Sequence, residues 1–328
     1  AATVRMADSQ PPVHAPVARH MQASTDILAD WQERGFVVLR RAQWLGSVMG
    51  PRGEHLATLA DEVAELPAAN RTPGVAHGPF HSYEIVADGS HAVRLSRTEA
   101  FVDHHRGLDA FLRGGGSPLA RLVARLAGER VSLYKDKLNY KFPGGGGYVP
   151  HQDGYRGLGV PRYVSPAQRG FIACVAMIAV DDTTLSNGCA QVAPATWARK
   201  EGWLRPHRAR ANASYDHMGP YQPVELAAGD VLIYDNFMPH MSFPNLSHRK
   251  RRALFAIYYG AETTPRDLRG LYYQLEARSR RQGRTSRANI YHTGEPAGPP
   301  GEVEPTGSAA RSQHRRRRAP RQNTRQSI

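Results

Sequence analysis

Two cysteines in 328 residues, Cys174 and Cys189, are too few for a disulfide framework. Both sit among strand-forming residues, so buried and inert thiols are expected, of the kind that suits a reducing compartment. No segment approaches the roughly 20 consecutive apolar residues that cross a bilayer. The chain does not open on a basic stretch followed by an apolar one, so no secretion signal is expected either. The resulting expectation is a cytoplasmic protein without a membrane span. Acid is what the C-terminus lacks: the last 18 residues, from Arg311, hold seven arginines and neither Asp nor Glu. Net charge is +14, so half of the excess sits there and about +7 is spread over the rest. Aromatics are missing between those arginines, which removes the stacking platform of a single-strand binder. Salt-dependent neutralisation of phosphates through segment 311–328 is the one nucleic-acid role left open, and a solvated extension is the plainer reading.

With 41% hydrophobic residues, the length suits one large domain. Residues 1–22 are mixed polar and read as a flexible segment. Ser24 to Trp31 offers a capped short helix, and Phe36-Val37-Val38-Leu39 a buried strand. His55 to Leu66 carries apolar residues at helical spacing. Residues 67–92, rich in Pro, Gly and His, read as a loop suited to a substrate lid, with Phe80 and Tyr83 as caps, or as a solvated loop of no role. Leu108 to Leu126 is helical on both sides of three glycines. From Val131 onward, short strands alternate with turns and no helix intervenes: 171–180, 189–192, 224–226, 231–234 and 251–259. The architecture expected is mainly β with flanking helices, a double-stranded β-helix of the jelly-roll or cupin kind with its ligand site inside. That domain is expected over 23–276, followed by a disordered Arg-rich tail over 277–328.

The stretch that carries chemistry is KLNYKFPGGGGYVPHQD, residues 137–153. The Gly144–Gly147 run is not followed by a helix start and so is no phosphate cradle; it suits a tight turn delivering Tyr148 and His151 into the barrel. His151 and Asp153 are two residues apart, which on a strand puts imidazole and carboxylate on one face. An ordinary surface-strand pair has the same spacing. Two later residues add to it. His240 follows the buried strand 231–234, and Arg251 opens the strand RRALFAIYY. Two histidines and one carboxylate are the set that holds non-haem Fe(II) with positions left open, and an arginine fork suits a carboxylate. A hydrogen-bonded strand-end histidine and one more cation of the cluster HRKRR are the alternatives.

The segments WQERGFVVLR, LSRTEAFVDHH, YKDKLNYKFPGGGGYVPHQDGY, MIAVDDTTLSNGCAQVAPATW, VELAAGDVLIYDNFMPHMSFPNLSHRKRRALFAIYYG and LRGLYYQ span roughly residues 25–275. Through them the chain resembles the phytanoyl-CoA dioxygenase-like family of Fe(II)/2-oxoglutarate oxygenases. It is most similar to the branch acting on small polar substrates, such as 2-aminoethylphosphonate hydroxylases, with ectoine hydroxylases more distant. The resemblance implies Fe(II), 2-oxoglutarate and O2 as cofactors, with His151, Asp153 and His240 as metal ligands. It implies Arg251 on the distal carboxylate of 2-oxoglutarate, and Asn139, Ser242 and Tyr148 beside the oxo-acid. Alternation places Arg251 inward and Arg252 outward. Asp153 stands where related halogenases have a small residue, so hydroxylation is expected, with release of succinate and CO2. No coenzyme A signature is visible, and the substrate expected is a small polar, anionic metabolite or natural-product intermediate. Candidate substrate contacts are Lys137, Tyr155, Arg156, Arg162 and Gln191.

Two other classes stay open on sequence grounds. One is a binder or zinc hydrolase that keeps the ligands and has lost oxygen chemistry. In that case Asn139 and Arg251 have no task. The other is a nucleic-acid-associated protein using the basic tail.

Overall fold

The computed structural model describes residues 27–40, 54–67, 78–86, 90, 92–113, 116–151, 172–193, 220–235, 238–262, 267–282 and 290–291. Ile27–Arg34 is helix α1 and Phe36–Leu39 strand β1. Glu54–Glu65 is α2, Phe80–Ile85 β2 and Val93–Glu99 β3. A 3-10 turn over Phe101–His104 leads into α3 (Arg106–Leu112) and α4 (Pro118–Ala127). The long strand β4 (Val131–Lys141) is followed by β5 (Gly147–His151), β6 (Ile172–Ala179), β7 (Ala190–Val192), β8 (Gln222–Val224), β9 (Val231–Asp235), β10 (His240–Ser242) and β11 (Arg251–Gly260). Helix α5 (Leu268–Arg281) and a short β12 (Ile290–Tyr291) complete the described chain.

The strands form two antiparallel sheets. The larger has the order β1-β9-β6-β11-β4-β3-β2, the smaller β12-β5-β10-β7-β8. This is the jelly-roll barrel expected from the sequence. The pleat explains why its central strands read as unbroken apolar runs: both faces of the large sheet are covered. On one face Cys174, Ala176 and Ile178 of β6, Ile233 of β9, and Leu254, Ala256 and Tyr258 of β11 pack under α2, α3 and α4. On the other, Val175, Met177, Ala179, Leu232, Ala253, Phe255 and Ile257 meet Ala190, Val192 and Val224 of the small sheet. Both cysteines are buried and unlinked; burial pushes the Cys189 thiol up to about 12.

Two sequence expectations need correction. The loop expected over 67–92 contains a strand: Phe80 to Ile85 pairs with Glu99 to Val93. The polar alternation of FHSYEI hid it, since only one face of this edge strand is covered. Phe80 is buried, stacked on Tyr273 at 5.8 Å under the Arg280 guanidinium, where it holds α5. Tyr83 is 39% exposed. The folded chain also runs past residue 276. α5 continues to Arg281, held through Arg269 to Asp136 (2.5 Å) and Asp103 (2.7 Å), and β12 pairs with β5. The high arginine content of 277–281 masked that last turn. Residues 283–289 and 292–328, the Arg-rich segment included, lie outside the described residues, as do 1–26.

Arg252 ties α2 to the outer face of the large sheet. Its guanidinium donates to Asp181 (2.8 and 2.9 Å), Asp61 (2.7 Å) and the Ala57 carbonyl (3.1 Å). Breaking a fully buried pair costs roughly 3–5 kcal/mol; partial hydration of Asp181 and Asp61 reduces this to about 2 kcal/mol for Arg252→Leu. Thermal unfolding is expected to show a midpoint about 4–8 °C lower. An unchanged midpoint contradicts that role.

Candidate active site

His151 ends β5 and His240 begins β10, and the two are direct cross-strand partners. Their ring centroids lie 4.2 Å apart. Each ring is oriented by its own strand: His151 Nδ1 bonds the Val149 carbonyl at 2.7 Å, and His240 Nδ1 the Met238 carbonyl at 3.0 Å. A carbonyl only accepts, so Nδ1 carries the proton in both, and both Nε2 atoms offer lone pairs. This is how metal-ligating imidazoles are held by their outer partners. The Tyr234 hydroxyl stands 3.4 Å from His240 Nε2. Asp153 lies outside the described residues. Among those described, no three His, Cys, Asp or Glu side chains gather around one point. The donor chemistry of the histidine pair fits a metal that takes nitrogen ligands and a carboxylate.

Next along the same strands come Ser242 and Tyr148, again cross-strand partners. The Ser242 hydroxyl accepts from Lys141 Nζ at 2.9 Å, and that ammonium lies 5.5 Å from the Tyr148 ring centroid. Lys141 of β4 and Arg251 of β11 are paired across the large sheet, both at most 2% exposed. Neither has a carboxylate partner among the described residues. Their hydrogen bonds go to neutral oxygens: Lys141 to the carbonyls of Phe243 (2.6 Å) and Gly188 (3.4 Å), Arg251 Nη2 to that of Gly188. Arg251 Nε is buried with no acceptor. Burial, reinforced by Arg251, pushes the Lys141 ammonium well below its usual range, and burial lowers Arg251 as well. Gly188 is required at this point. Its φ of +77° is left-handed, and a Cβ there would lie 2.8 Å from Lys141 Nζ.

Asn139 is two residues from Lys141 on β4, between Ala253 of β11 and Arg97 of β3. Its amide oxygen is buried with no donor. Lys137 follows, opposite Phe255, with Nζ 4.7 Å from the ring centroid. Beside it Glu99 draws together Arg97 Nε (3.0 Å), Lys135 Nζ (3.1 Å) and the Tyr272 hydroxyl (3.0 Å). Burial alone would raise the Glu99 carboxyl, but Lys135, Arg97 and Lys137 outweigh it and bring it down to about 2. Burial lowers Lys135 to about 8 against the pull of Glu99.

The residues expected at the site therefore divide. His151, His240, Tyr148, Ser242, Arg251, Asn139 and Lys137 line the space between the sheets, and Arg252 turns away from it. Asp153, Tyr155, Arg156 and Arg162 lie outside the described residues. Gln191 does not join the others. It alternates with Ala190 and Val192, which face the barrel interior, and pairs with Met241 rather than His240, so the pleat puts it on the opposite face of the small sheet. The sequence reading assigned no role to Arg97, Glu99 or Gly188. The spacing Arg97-x-Glu99 on a strand was the signal for the first two; nothing marked the glycine.

The same fold occurs in solved structures. EctD from S. alaskensis with bound Fe is 16% identical with a TM-score of 0.51, over 78% of this chain and 83% of that one. AviO1 from Streptomyces viridochromogenes Tue57 is 22% identical with a TM-score of 0.50, over 71% and 92%. Among curated proteins, a 2-aminoethylphosphonate dioxygenase from uncultured bacterium HF130_AEPn_1 is 31% identical over 70% of this chain and 78% of its own length. A methylphosphonate hydroxylase from Gimesia maris is 32% identical over 76% and 85%. The phytanoyl-CoA dioxygenase (PhyH) family model matches residues 31–253. With the barrel, the paired histidines and this match together, the chain belongs to the phytanoyl-CoA dioxygenase family.

Proposed function

We propose that the protein is an Fe(II)- and 2-oxoglutarate-dependent hydroxylase of a small polar metabolite. The observation that carries this reading is the histidine pair at 4.2 Å, each ring turned by its own backbone carbonyl to present Nε2. His151, His240 and Asp153 would hold the iron. Bound iron, with 2-oxoglutarate and O2, supplies the oxidising power for an unactivated C–H bond, the oxo-acid leaving as succinate and CO2.

The protein's own task is to orient the oxo-acid and keep its charges satisfied. Ser242 lies one strand repeat beyond His240, about 7 Å along β10. A five-carbon diacid reaches at most about 6 Å between its end carbons, four C–C bonds of about 1.5 Å each. Its distal carboxylate would thus meet Lys141, Arg251 and Ser242 while its other end stays by the histidines. Two buried cations with only carbonyls and a hydroxyl for company gain most from an incoming carboxylate. Asn139 sits between that anchor and Lys137, where its amide can hydrogen-bond an oxygen of the oxo-acid. The two phosphonate-oxidising relatives support a small polar substrate, and a cytoplasmic location suits the unlinked thiols.

Anaerobic titration of the protein with Fe(II) and 2-oxoglutarate is expected to give a weak visible charge-transfer band. His240→Ala and Asp153→Ala should abolish both the band and substrate-dependent succinate release. Full turnover by either variant contradicts the ligand assignment. Arg251→Met removes a charge-assisted pair worth roughly 2–5 kcal/mol when buried, so the KM for 2-oxoglutarate should rise about thirtyfold or more. An unchanged KM rules Arg251 out as the carboxylate anchor.

A further inference from the structure

Tyr234 reaches the histidine pair from across the barrel. It lies on β9 of the large sheet, where it shares the inner face with Leu232 while Ile233 turns to the helices, and it is 1% exposed. Its ring centroid stands 4.8 Å from that of His240, and its hydroxyl 3.4 Å from Nε2. Because Nδ1 of His240 holds its proton against the Met238 carbonyl, Nε2 can only accept. This hydrogen bond therefore runs in one direction, from the phenol to the imidazole.

Nε2 has a single lone pair, and a metal needs it. A metal bonds an imidazole nitrogen at about 2.1 Å, closer than the hydroxyl stands, so the phenol gives up this acceptor when the site fills. With its ring kept in the core, the hydroxyl stays within about 5.5 Å of that metal, the sum of the two distances. Burial keeps it from turning to water, and a buried hydroxyl that has lost its acceptor destabilises the state that holds it. Its direct cross-strand neighbours, Phe36 on β1 and Val175 on β6, are apolar. The incoming acceptor is the end of the oxo-acid that lies by the histidines, whose carboxylate takes a hydrogen bond more strongly than a neutral nitrogen does.

We propose that the Tyr234 hydroxyl couples metal binding to oxo-acid binding. It occupies Nε2 of the empty site, is released when a metal takes that lone pair, and then donates to the near carboxylate of the oxo-acid. Tyr234 thereby weakens the hold on a metal alone and strengthens the hold on a metal together with the oxo-acid. The metal raises the affinity for the oxo-acid by the same factor, since such coupling is reciprocal. This rests on the oxygenase reading, which places the metal on His240 and the oxo-acid beside it.

The test is titration of the full-length protein and of its Tyr234→Phe variant with Co(II), followed through the visible bands of the bound ion, without and with saturating 2-oxoglutarate. Phenylalanine keeps the ring in the core and removes only the hydroxyl. Co(II) alone should bind Tyr234→Phe about threefold or more tightly than wild type, because no hydrogen bond has to break. The factor by which 2-oxoglutarate raises Co(II) affinity should fall about tenfold in the variant, as loss of a hydrogen bond to a carboxylate implies. A tyrosine that only fills the core would move both Co(II) affinities alike, so an unchanged factor overturns the proposal and leaves the oxygenase reading intact. Weaker binding of Co(II) alone by Tyr234→Phe also overturns it, because the hydroxyl then serves a protein ligand such as Asp153. A wild type whose Co(II) affinity does not respond to 2-oxoglutarate overturns the oxygenase reading, and the proposal with it.

Discussion

A positive charge removed from water needs a counter-charge or a dense set of acceptors, and among the described residues the buried Lys141–Arg251 pair has acceptors but no acid to answer it. Arg97, Lys135, Lys137, Lys141 and Arg251 face inward from three adjacent strands, with Glu99 between the first three. Carbonyls of Gly188 and Phe243 and the Ser242 hydroxyl hold two of these cations in place without neutralising them. Such an arrangement lowers the stability of the empty protein and is relieved by anions. It therefore belongs to binding rather than to folding.

The fold makes this possible by dividing the work between faces of the same strands. β4 alternates Lys135, Lys137, Asn139 and Lys141 with Leu138 and Tyr140, and β11 alternates Arg251 and Phe255 with Leu254 and Tyr258. The apolar partners anchor the sheet under the helices and fix the register. With register fixed, each polar side chain has one place to go. The small sheet supplies the histidines from strands that are antiparallel neighbours, so residues 89 positions apart along the chain become direct partners. Glycine at 188 lets the backbone come close enough for one carbonyl to serve both Lys141 and Arg251.

Much of this was legible in the sequence because alternation is a local property. The inward direction of Arg251 and the outward direction of Arg252 follow from a period of two, as does the shared face of Lys137, Asn139 and Lys141. The barrel itself followed from short strands separated by turns. What local reading could not supply is pairing. Gln191 sits in a strand of the site, but its cross-strand partner is Met241, and only the register reveals that it faces away. The strand 80–85 carries polar residues on its open face and so resembled a loop, and helix α5 ends in arginines that resembled the start of a disordered tail. Arg97 and Glu99 lie about 40 residues from the lysines they meet, and Gly188 shows its role only through a contact.

Function here requires a metal at the histidines and a diacid at the buried Lys141–Arg251 pair to occupy adjoining parts of a single interior. An anaerobic crystal structure of the protein with Fe(II) and 2-oxoglutarate tests it most directly. The expected result is iron on the Nε2 atoms of His151 and His240 and on Asp153, with the distal carboxylate of 2-oxoglutarate against Lys141 and Arg251. Iron bound elsewhere, or an oxo-acid that leaves both cations without an anion, would contradict it.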